Sequence, residues 1–414
     1  MDTKTLRCGL LGRKLGHSYS PAIHERLADY SYRLFEVEPE DLGAFLQEGA
    51  FDGLNVTIPY KKDVIPYCAE LSDTARAIGA VNTLVRRADG TLWGDNTDAY
   101  GFSMLVQSSG ADVAGKKALV FGSGGASATA QYVLRRLGAR EVVVISRHGE
   151  DNYENLDRHA DAQIAVNTTP VGMYPNTGVS PVDLHRLPRL EAALDVVYNP
   201  ARTEFLLQAE TRGLRRANGL LMLAAQAKKS CEDFTGEPVD DAKIFSITKA
   251  LEAQMHNVIL IGMPGSGKTT IGTLVAKRLG RTFVDADSAL EREAGMPIPE
   301  IFRREGEAGF RRRETAVLAE LGRQSGLVLA TGGGSVTREE NYPLLHQNGE
   351  IFCLQRALER LPSAGRPVSQ ALGAQTIYAQ RKPLYARFAD AMIDNNGTPE
   401  EAAAQILEVL GCSC

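Results

Sequence analysis

The sequence lacks the features of a secreted protein, of a membrane protein and of a protein stabilised by a structural metal ion. Its six cysteines are scattered over 414 residues without the spacing of a disulfide framework or a zinc site. No run of about 18 apolar residues is present, which argues against a membrane span. The first residues also lack the apolar core of a signal peptide. These absences favour a protein of the cytoplasm.

The sequence also has no excess of basic residues. A net charge of −5 and a pI near 5.9 argue against a nucleic-acid partner, which requires a concentrated basic face. Hydrophobic residues make up 43% and charged residues 23%, as in ordinary globular proteins. At 414 residues, two or three domains are expected, with small molecules as the partners; nothing in the pattern indicates an oligomeric state.

Short apolar runs rich in valine and isoleucine alternate with helical patterns, which predicts an α/β fold with largely parallel sheets. An amphipathic helix is predicted at 240–255, with Ile244, Ile247, Leu251 and Met255 on one face. We therefore predict a first domain at 1–256 and a second at 257–414. The strand candidates are CGLLG, GLNVTI, KALVF, VVVIS, IAVNTT, ALDVVY, NVILIG, TFVDAD, LVLATGG and EIFCL.

The most specific motif lies past the middle of the chain. Residues 257–269 read NVILIGMPGSGKT, and this spacing predicts a phosphate-binding loop between a strand and a helix. Lys268 would reach the outer phosphates of a nucleotide, and the Thr269 hydroxyl would ligate Mg²⁺. The predicted ATP-binding residues here are Gly262, Pro264, Gly265, Ser266, Gly267, Lys268, Thr269 and Thr270.

A second glycine-rich turn, GSGGAS from Gly122, follows the strand KALVF and fits a dinucleotide-binding turn. The next strand, VVVIS, is followed by Arg147, where an NAD site would carry Asp or Glu. A guanidinium group pairs well with a 2′-phosphate, which favours NADP. A solvated arginine at the end of a strand is the alternative.

Three polar segments precede this turn: HSYSP from His17, NVTIPYK from Asn55, and AVNT from Ala80 with NTD from Asn96. Their side chains could bind a polyhydroxylated substrate, or simply form turns and helix caps. Lys61 and Asp98 could form an acid–base pair, since a carboxylate favours the ammonium form of a neighbouring lysine. That ammonium group could protonate the oxygen of a carbonyl being reduced.

In this order, and with NTTPVGM, DVVYNP and GLLMLAAQA further on, these motifs resemble the shikimate dehydrogenase family over about residues 6–255. The resemblance implies an α/β substrate domain (about 1–100 and 221–256) and a Rossmann-like NADP domain (about 101–220). Lys61 and Asp98 would be catalytic. Substrate would be bound by Ser18, Ser20, Thr57, Lys61, Asn82, Asp98, Tyr198 and Gln226. NADP would be bound by Gly122, Ser123, Gly124, Gly125, Ala126, Ser127, Arg147, Thr169, Gly219 and Met222.

Two departures from that family stand out. Gly12 is followed by Arg13-Lys14, where the family often has proline. After the second strand of the cofactor domain the family often has Asn-Arg-Thr, whereas this chain has Ser146-Arg147-His148. Only about 15 residues then separate this run from the strand IAVNTT, too few for a full helix and strand. The sequence therefore predicts a cofactor domain trimmed on its adenosine side.

In the second half, Asp285 and Asp287 are two residues apart at the end of FVDAD. On a regular strand they would face the same side, so that one could serve Mg²⁺ and the other a substrate hydroxyl. Later come Arg311 and Arg381, and a triple glycine at 332–334. Taken singly, these fragments also fit a charged helix face, a tight turn or surface arginines.

The ordered set resembles the shikimate kinase family over about residues 257–410 and implies a P-loop α/β/α domain with a parallel sheet. Lys268, Asp287 and Arg366 would be catalytic. Asp287 would act as the base, and Arg366 would also bind ATP. Thr269 and Asp285 would hold the metal. The substrate would be bound by Asp287, Arg311, Gly332, Gly333, Gly334 and Arg381. Arg360 is a candidate for an adenine contact.

The two resemblances imply consecutive reactions of aromatic amino-acid biosynthesis. The first is NADPH-dependent reduction of 3-dehydroshikimate to shikimate, and the second is ATP·Mg²⁺-dependent phosphorylation to shikimate 3-phosphate. One alternative is a first half that uses NAD and oxidises quinate or another cyclic polyol. Another is that one half is a non-catalytic regulatory module, although both sets of catalytic residues are intact.

Overall fold

The computed structural model describes residues 6–16, 18–49, 51–361 and 373–411. The chain forms two compact units. The first comprises Met1–Gly172, Val179–Tyr198 and Phe205–Leu251. The second comprises Glu252–Cys414 with two short segments from earlier in the chain, Met173–Gly178 and Asn199–Glu204.

The first unit begins with a mixed six-stranded sheet, in the order β2-β1-β3-β5-β6-β4. Strand β5 is antiparallel to β3 and to β6, whereas the other neighbours are parallel. The elements are β1 (Arg7–Gly12), α1 (Ser20–Leu27), β2 (Ser31–Glu36), α2 (Leu42–Glu48), β3 (Gly53–Val56), β4 (Cys68–Leu71), α3 (Asp73–Ile78), β5 (Thr83–Arg86), β6 (Leu92–Asp95) and α4 (Asp98–Ser109).

The second sheet of this unit is five-stranded and wholly parallel, in the order β11-β10-β9-β7-β8. Between β8 and β9 the chain forms only a short 3₁₀ turn, Leu156–His159, in place of a helix. This confirms the prediction that the cofactor domain is trimmed on its adenosine side. The elements are β7 (Lys117–Phe121), α5 (Gly125–Arg136), β8 (Glu141–Ile145), β9 (Ile164–Asn167), β10 (Ala192–Asp195), α6 (Glu204–Thr211), β11 (Arg215–Ala217), α7 (Leu220–Thr235) and α8 (Ala242–Met255).

The second unit has a parallel five-stranded sheet, in the order β13-β14-β12-β15-β16. Its elements are β12 (Asn257–Ile261), α9 (Lys268–Leu279), β13 (Phe283–Asp285), α10 (Ala286–Ala294), α11 (Ile298–Gly322, kinked at Gly306), β14 (Val328–Ala330), α12 (Asn341–His346), β15 (Gly349–Gln355), α13 (Ala374–Phe388), β16 (Ala391–Asp394) and α14 (Pro399–Val409).

Residues 258–261 of the central strand β12 are all apolar, and the packing of this strand explains why. Val258 and Leu260 pack into one core with α9 and α14, while Ile259 and Ile261 pack into another with α11 and α13. Because successive side chains point to opposite faces, a strand covered by helices on both faces must be apolar at every position. The α/β prediction with parallel sheets is thereby confirmed.

The ten strand candidates all coincide with strands, and the helix predicted at 240–255 is α8. Its four predicted core residues, Ile244, Ile247, Leu251 and Met255, are buried. Across the described ranges, no helix combines the length and apolar character needed to cross a bilayer.

Candidate active sites

The predicted substrate residues of the first unit meet at one edge of its first sheet. Strands β1, β3 and β6 run in the same direction, so their C-terminal ends share this edge, and the antiparallel strand β5 starts there. Ser18 lies in the loop after β1, Ser20 is the first residue of α1, and the loop after β3 carries Thr57 and Lys61. Asn82 precedes β5, and Asp98 follows β6. Sheet topology thus gathers residues that are far apart in the sequence.

Lys61 and Asp98 are in direct contact, with 2.5 Å between Nζ and Oδ2. Their side chains are 24% and 14% exposed, so the pair is sheltered but can still be reached by a small molecule. Asp98 is the first residue of α4, where the helix dipole and free backbone N–H groups stabilise a carboxylate. The arrangement can present an ammonium proton to a bound carbonyl group.

Asn82 is buried, and its amide group is used within the protein. Its Oδ1 accepts a hydrogen bond from the Thr97 backbone N–H (2.7 Å), and its Nδ2 donates to Thr97 Oγ1 (3.1 Å). Asn82 therefore holds the turn that leads into Asp98. Ser230 of α7 joins the same buried network, with its Oγ 2.9 Å from Thr97 Oγ1. Sequence reasoning missed Ser230, since nothing local to α7 marks it.

Helix α7 brings two further predicted residues, Met222 and Gln226, against α4, the helix that begins with Asp98. Gly101 lies three residues after Asp98 on α4, and a Cβ atom there would be 2.6 Å from Met222 O and 3.1 Å from Gln226 Cβ. The absence of a side chain at Gly101 thus lets Met222 and Gln226 approach the helix turn that carries Asp98. Gly219 is buried at the N-terminus of α7.

Tyr198 is half-buried and packs edge-to-face on Tyr19, with 6.2 Å between ring centroids. Burial raises the pKa of Tyr198 above its ordinary value, so the phenol stays neutral and can donate a hydrogen bond. Tyr19 lies between Ser18 and Ser20, which ties the Tyr198 ring to the segment with two of the predicted substrate residues. Sequence reasoning did not assign a role to Tyr19.

The glycine turn after β7 presents an open helix N-terminus. Ser123, Gly124 and Gly125 are exposed, and a Cβ at Gly124 or Gly125 would meet no atom within 4 Å. Free N–H groups at such a terminus suit a pyrophosphate, so this turn fits a dinucleotide. Thr169 lies against Gly122, and its Oγ1 donates to Asn167 Oδ1 at 2.7 Å.

The remaining residues predicted for the cofactor have different environments. Arg147 is exposed just past the end of β8, where a 2′-phosphate could reach it. Ala126 is half-buried in the first turn of α5. Ser127 is fully buried, and its Oγ accepts a hydrogen bond from Gln131 Nε2 (3.2 Å), so its hydroxyl serves the helix itself.

In the second unit, the phosphate-binding loop opens into a cavity of about 840 Å³, a volume typical of small-molecule sites. Gly262 and Ser266 lie in the loop but do not line the cavity, and Arg366 lies outside the described residues. The predicted residues that do line it are Pro264, Gly265, Gly267, Lys268, Thr269, Thr270, Asp285, Asp287, Arg311, Gly332, Gly333, Gly334 and Arg381; Arg360 also lines it.

Lys268 and Thr269 begin α9 directly after the loop. Lys268 Nζ donates to the carbonyl oxygens of Gly262 (2.9 Å) and Met263 (3.1 Å), which holds the ammonium group against the loop. Thr269 Oγ1 lies 3.0 Å from Asp285 Oδ2. A hydroxyl and a carboxylate are the hard oxygen donors that Mg²⁺ prefers, and two protein ligands leave room for water and phosphate. These two residues therefore fit a magnesium ion.

The expectation that Asp285 and Asp287 both lie on a regular strand was wrong. Strand β13 ends at Asp285, whose side chain accepts a hydrogen bond from Ser288 N (3.2 Å) and caps α10. Such capping starts a helix at once, so Asp287 stands in the first helical turn. Both carboxylates nevertheless face the same cavity.

One carboxyl group of this cavity, that of Asp287, has a shifted pKa. Burial, together with the neighbouring charges of Asp285 and Glu314, raises the pKa of Asp287 to about 6, despite the opposing charges of Lys268 and Arg311. A carboxyl group with a pKa close to neutrality can accept a proton from a substrate hydroxyl with some driving force.

Glu314 is a residue of this cavity that the sequence analysis missed. It is 2% exposed, and its Oε2 accepts from Arg311 Nη1 at 2.6 Å. The spacing of three residues on one helix was the available signal. Gly334 complements this pair, because a Cβ there would lie 2.6 Å from Arg311 Nη1. The glycine turn thus makes room for the guanidinium group.

Arg381 is also buried at the glycine turn. Its Nη1 donates to Gly333 O (2.9 Å), and the Tyr385 hydroxyl donates to the same oxygen (2.5 Å). Arg381 and Arg311 are each 8% exposed, so two guanidinium groups converge on a largely dry region. Such a pair suits a carboxylate ligand.

These features define two classes of enzyme in one chain. A parallel sheet with a dinucleotide turn, adjoining a polar site with a Lys–Asp pair, defines a pyridine-nucleotide-dependent dehydrogenase. A phosphate-binding loop beside buried carboxylates and arginines defines a small-molecule kinase.

Comparisons with known proteins name the families. The family description "Shikimate dehydrogenase substrate binding domain" matches residues 10–84, and "Shikimate kinase" matches residues 264–411. The chain is 36% identical over 267 residues to a shikimate dehydrogenase (NADP(+)) of Clostridium perfringens, covering 59% of this chain and 98% of that protein. The chain therefore belongs to the shikimate dehydrogenase family, and it carries a shikimate kinase domain in addition.

Solved structures agree with this assignment. A chorismate mutase/shikimate 5-dehydrogenase fusion protein from Clostridium acetobutylicum is 36% identical with a TM-score of 0.57, over 60% of this chain and 97% of its own. The Thermus thermophilus shikimate 5-dehydrogenase in complex with NADP(H) and shikimate is 32% identical with a TM-score of 0.54, over 59% of this chain and 99% of its own.

Proposed function

We propose that this chain is a bifunctional enzyme that reduces 3-dehydroshikimate with NADPH and then phosphorylates the resulting shikimate with ATP·Mg²⁺. The observation that carries the proposal is the presence, in one chain, of the Lys61–Asp98 contact and of a phosphate-loop cavity lined by Asp287, Arg311 and Arg381. The product of the first reaction is the substrate of the second. We expect the enzyme to act in the cytoplasm, where NADPH and ATP are both present.

In the reductase site, Lys61 serves as the proton donor. Its ammonium group donates a hydrogen bond and then a proton to the carbonyl oxygen of the substrate, which becomes a hydroxyl. Asp98 orients the ammonium group and stabilises its charge. NADPH, when bound along the glycine turn of β7–α5, supplies the hydride. Ser18, Ser20, Thr57, Tyr198 and Gln226 supply hydrogen bonds to the hydroxyls and carboxylate of the substrate.

Asn82 has a different role in this proposal from the one its family resemblance implies. Both ends of its amide group bind Thr97. We therefore propose that Asn82 acts mainly by positioning the turn before Asp98, with any substrate contact secondary.

In the kinase site, Asp287 accepts the proton of the attacking shikimate hydroxyl while the oxygen forms its bond to the γ-phosphorus of ATP and ADP leaves. Arg311 and Arg381 bind the shikimate carboxylate, and Glu314 fixes the Arg311 guanidinium group. Lys268 neutralises charge on the phosphates, which is where most of the catalysis of phosphoryl transfer arises. Arg366 keeps the same assignment on the strength of the sequence.

The direct test is to incubate the protein with 3-dehydroshikimate, NADPH and ATP·Mg²⁺ and to identify the products by mass spectrometry. We expect shikimate 3-phosphate from the full mixture and shikimate when ATP is omitted. Comparing kcat/KM for shikimate and quinate, each with NADP⁺ and NAD⁺, tests the alternative of a quinate dehydrogenase. A preference for quinate would overturn the assignment of the first site.

The kinase reaction should lose activity below about pH 6. Because the pKa of Asp287 is raised from 3.8 to about 6, its carboxyl group is protonated in acid and cannot accept the substrate proton. kcat/KM for shikimate should therefore fall roughly tenfold per pH unit below this value. The measurement is a pH profile of the kinase reaction, with circular dichroism to confirm that the fold persists. A profile that stays flat down to pH 5 would contradict the assignment of Asp287 as the base.

A further inference from the structure

Arg356 lies at the edge of the sheet where the phosphate-binding loop begins. It directly follows β15, which pairs in parallel with β12, the strand that leads into the loop. Parallel neighbours end at the same edge of a sheet, and ligands of α/β proteins bind at that edge. Arg356 lines the same cavity as Lys268. No sequence motif singles it out.

The guanidinium group of Arg356 is close to the last glycine of the loop. A Cβ atom on Gly267 would lie 3.8 Å from Arg356 Nη1 and 3.0 Å from Asn395 Nδ2. Asn395 Nδ2 donates a hydrogen bond to Ser266 O, so the segment after β16 is attached to the loop at the same point. Arg356 therefore stands immediately beside the residue that precedes Lys268.

Within the described part of the chain, the guanidinium group of Arg356 has an unsatisfied donor. Its Nε atom is buried and has no hydrogen-bond partner there. The neighbouring Arg360, by contrast, donates to Asn396 O, and Arg311 is paired with Glu314. A buried Nε–H donor without a partner costs free energy, and an anion in the cavity would offset the charge of the guanidinium group.

We infer that Arg356 binds the phosphate groups of the nucleoside triphosphate, as a second cation beside Lys268. Its planar fork of N–H donors matches phosphate oxygens, and its position next to Gly267 faces the part of the loop that surrounds them. This inference rests on the proposed kinase function. It adds to that function a phosphate contact from the strand next to the loop, which the loop motif does not contain.

The test is the substitution Arg356→Gln, measured by the binding of a fluorescent ADP analogue and by the KM for ATP. We expect the Kd for the ADP analogue and the KM for ATP each to rise roughly tenfold to 100-fold, because a charge-assisted hydrogen bond is lost. The KM for shikimate and the rate of NADPH oxidation should not change. Arg278→Gln is the matched control, since it removes the same charge from an exposed position on the last turn of α9. An unchanged ADP affinity in Arg356→Gln would overturn the inference.

Competition with two probes identifies which part of the nucleotide Arg356 contacts. Tripolyphosphate should compete more weakly in Arg356→Gln than in the unaltered protein, whereas adenosine should compete equally in both. The reverse pattern would mean that the guanidinium group stacks on the base, and would contradict a phosphate contact. Arg356→Lys keeps the charge without the fork, so its ADP affinity should lie between the other two; an affinity no better than that of the glutamine variant would also count against the inference.

Binding of ADP separates this inference from the proposed function. If the unaltered protein binds ADP but does not phosphorylate shikimate, the proposed function fails while the role of Arg356 is still decided by the binding measurements. If it phosphorylates shikimate and Arg356→Gln binds ADP normally, only the role of Arg356 fails.

Discussion

Lys61→Met is expected to lower kcat of the reductase reaction by roughly 10²- to 10⁴-fold while the kinase reaction proceeds at its normal rate. Methionine has a similar length and fills the same space, but it offers no proton to the carbonyl oxygen. It also leaves the Asp98 carboxylate without the ammonium group that lies 2.5 Å away. The measurement is the initial rate of NADPH oxidation at saturating 3-dehydroshikimate, alongside ADP release from shikimate and ATP.

Lys62→Met provides the control for this prediction, because Lys62 is the adjacent residue and its side chain is exposed. It should leave both reactions unchanged. If Lys61→Met raised only the KM for 3-dehydroshikimate and left kcat intact, Lys61 would be a binding residue and the proton donor would have to be sought elsewhere. Normal reduction by Lys61→Met would mean that the reductase site has been misassigned.

The strands that sequence reasoning identified include β7, β9, β10 and β12, which are buried along their whole length and consist mostly of apolar residues. The strands that it missed have weaker patterns for physical reasons. Strand β2 is at the edge of its sheet, and its residues are exposed or half-buried. Strands β4, β5 and β6 are short and mix apolar residues with charged ones, which leaves no continuous apolar run.

The candidate sites were predictable where a motif is local and not where a contact depends on the fold. The phosphate loop is a continuous segment, so its spacing sufficed. The network of Asn82, Thr97 and Ser230 joins two loops to α7, and only the packed structure shows it. Asp287 was placed on a strand because a helix that starts within one residue of a strand leaves no break in the sequence pattern. Arg356 belongs to no motif, and only the pairing of β15 with β12 in the folded sheet brings it next to the phosphate-binding loop.

The converse prediction concerns the kinase site. Lys268→Met is expected to lower kcat of shikimate phosphorylation by at least roughly 10³-fold, because the ammonium group next to the loop is the cation placed to offset charge on the transferring phosphoryl group. NADPH-dependent reduction should be unaffected. The measurement is ADP release by a coupled assay, with the reductase rate recorded on the same preparation.

Lys277→Met is the matched control for this second prediction, since it removes the same charge from an exposed position on the same helix, α9. It should retain full kinase activity. Phosphorylation that survived Lys268→Met would require another cation to carry the phosphate charge, and Arg356 would then be the first residue to replace in the same background. Loss of reduction in Lys268→Met would contradict the assignment of two separate sites. Lys61→Met should impair only reduction, and Lys268→Met only phosphorylation. A chain with one catalytic half and one regulatory half could not produce both results.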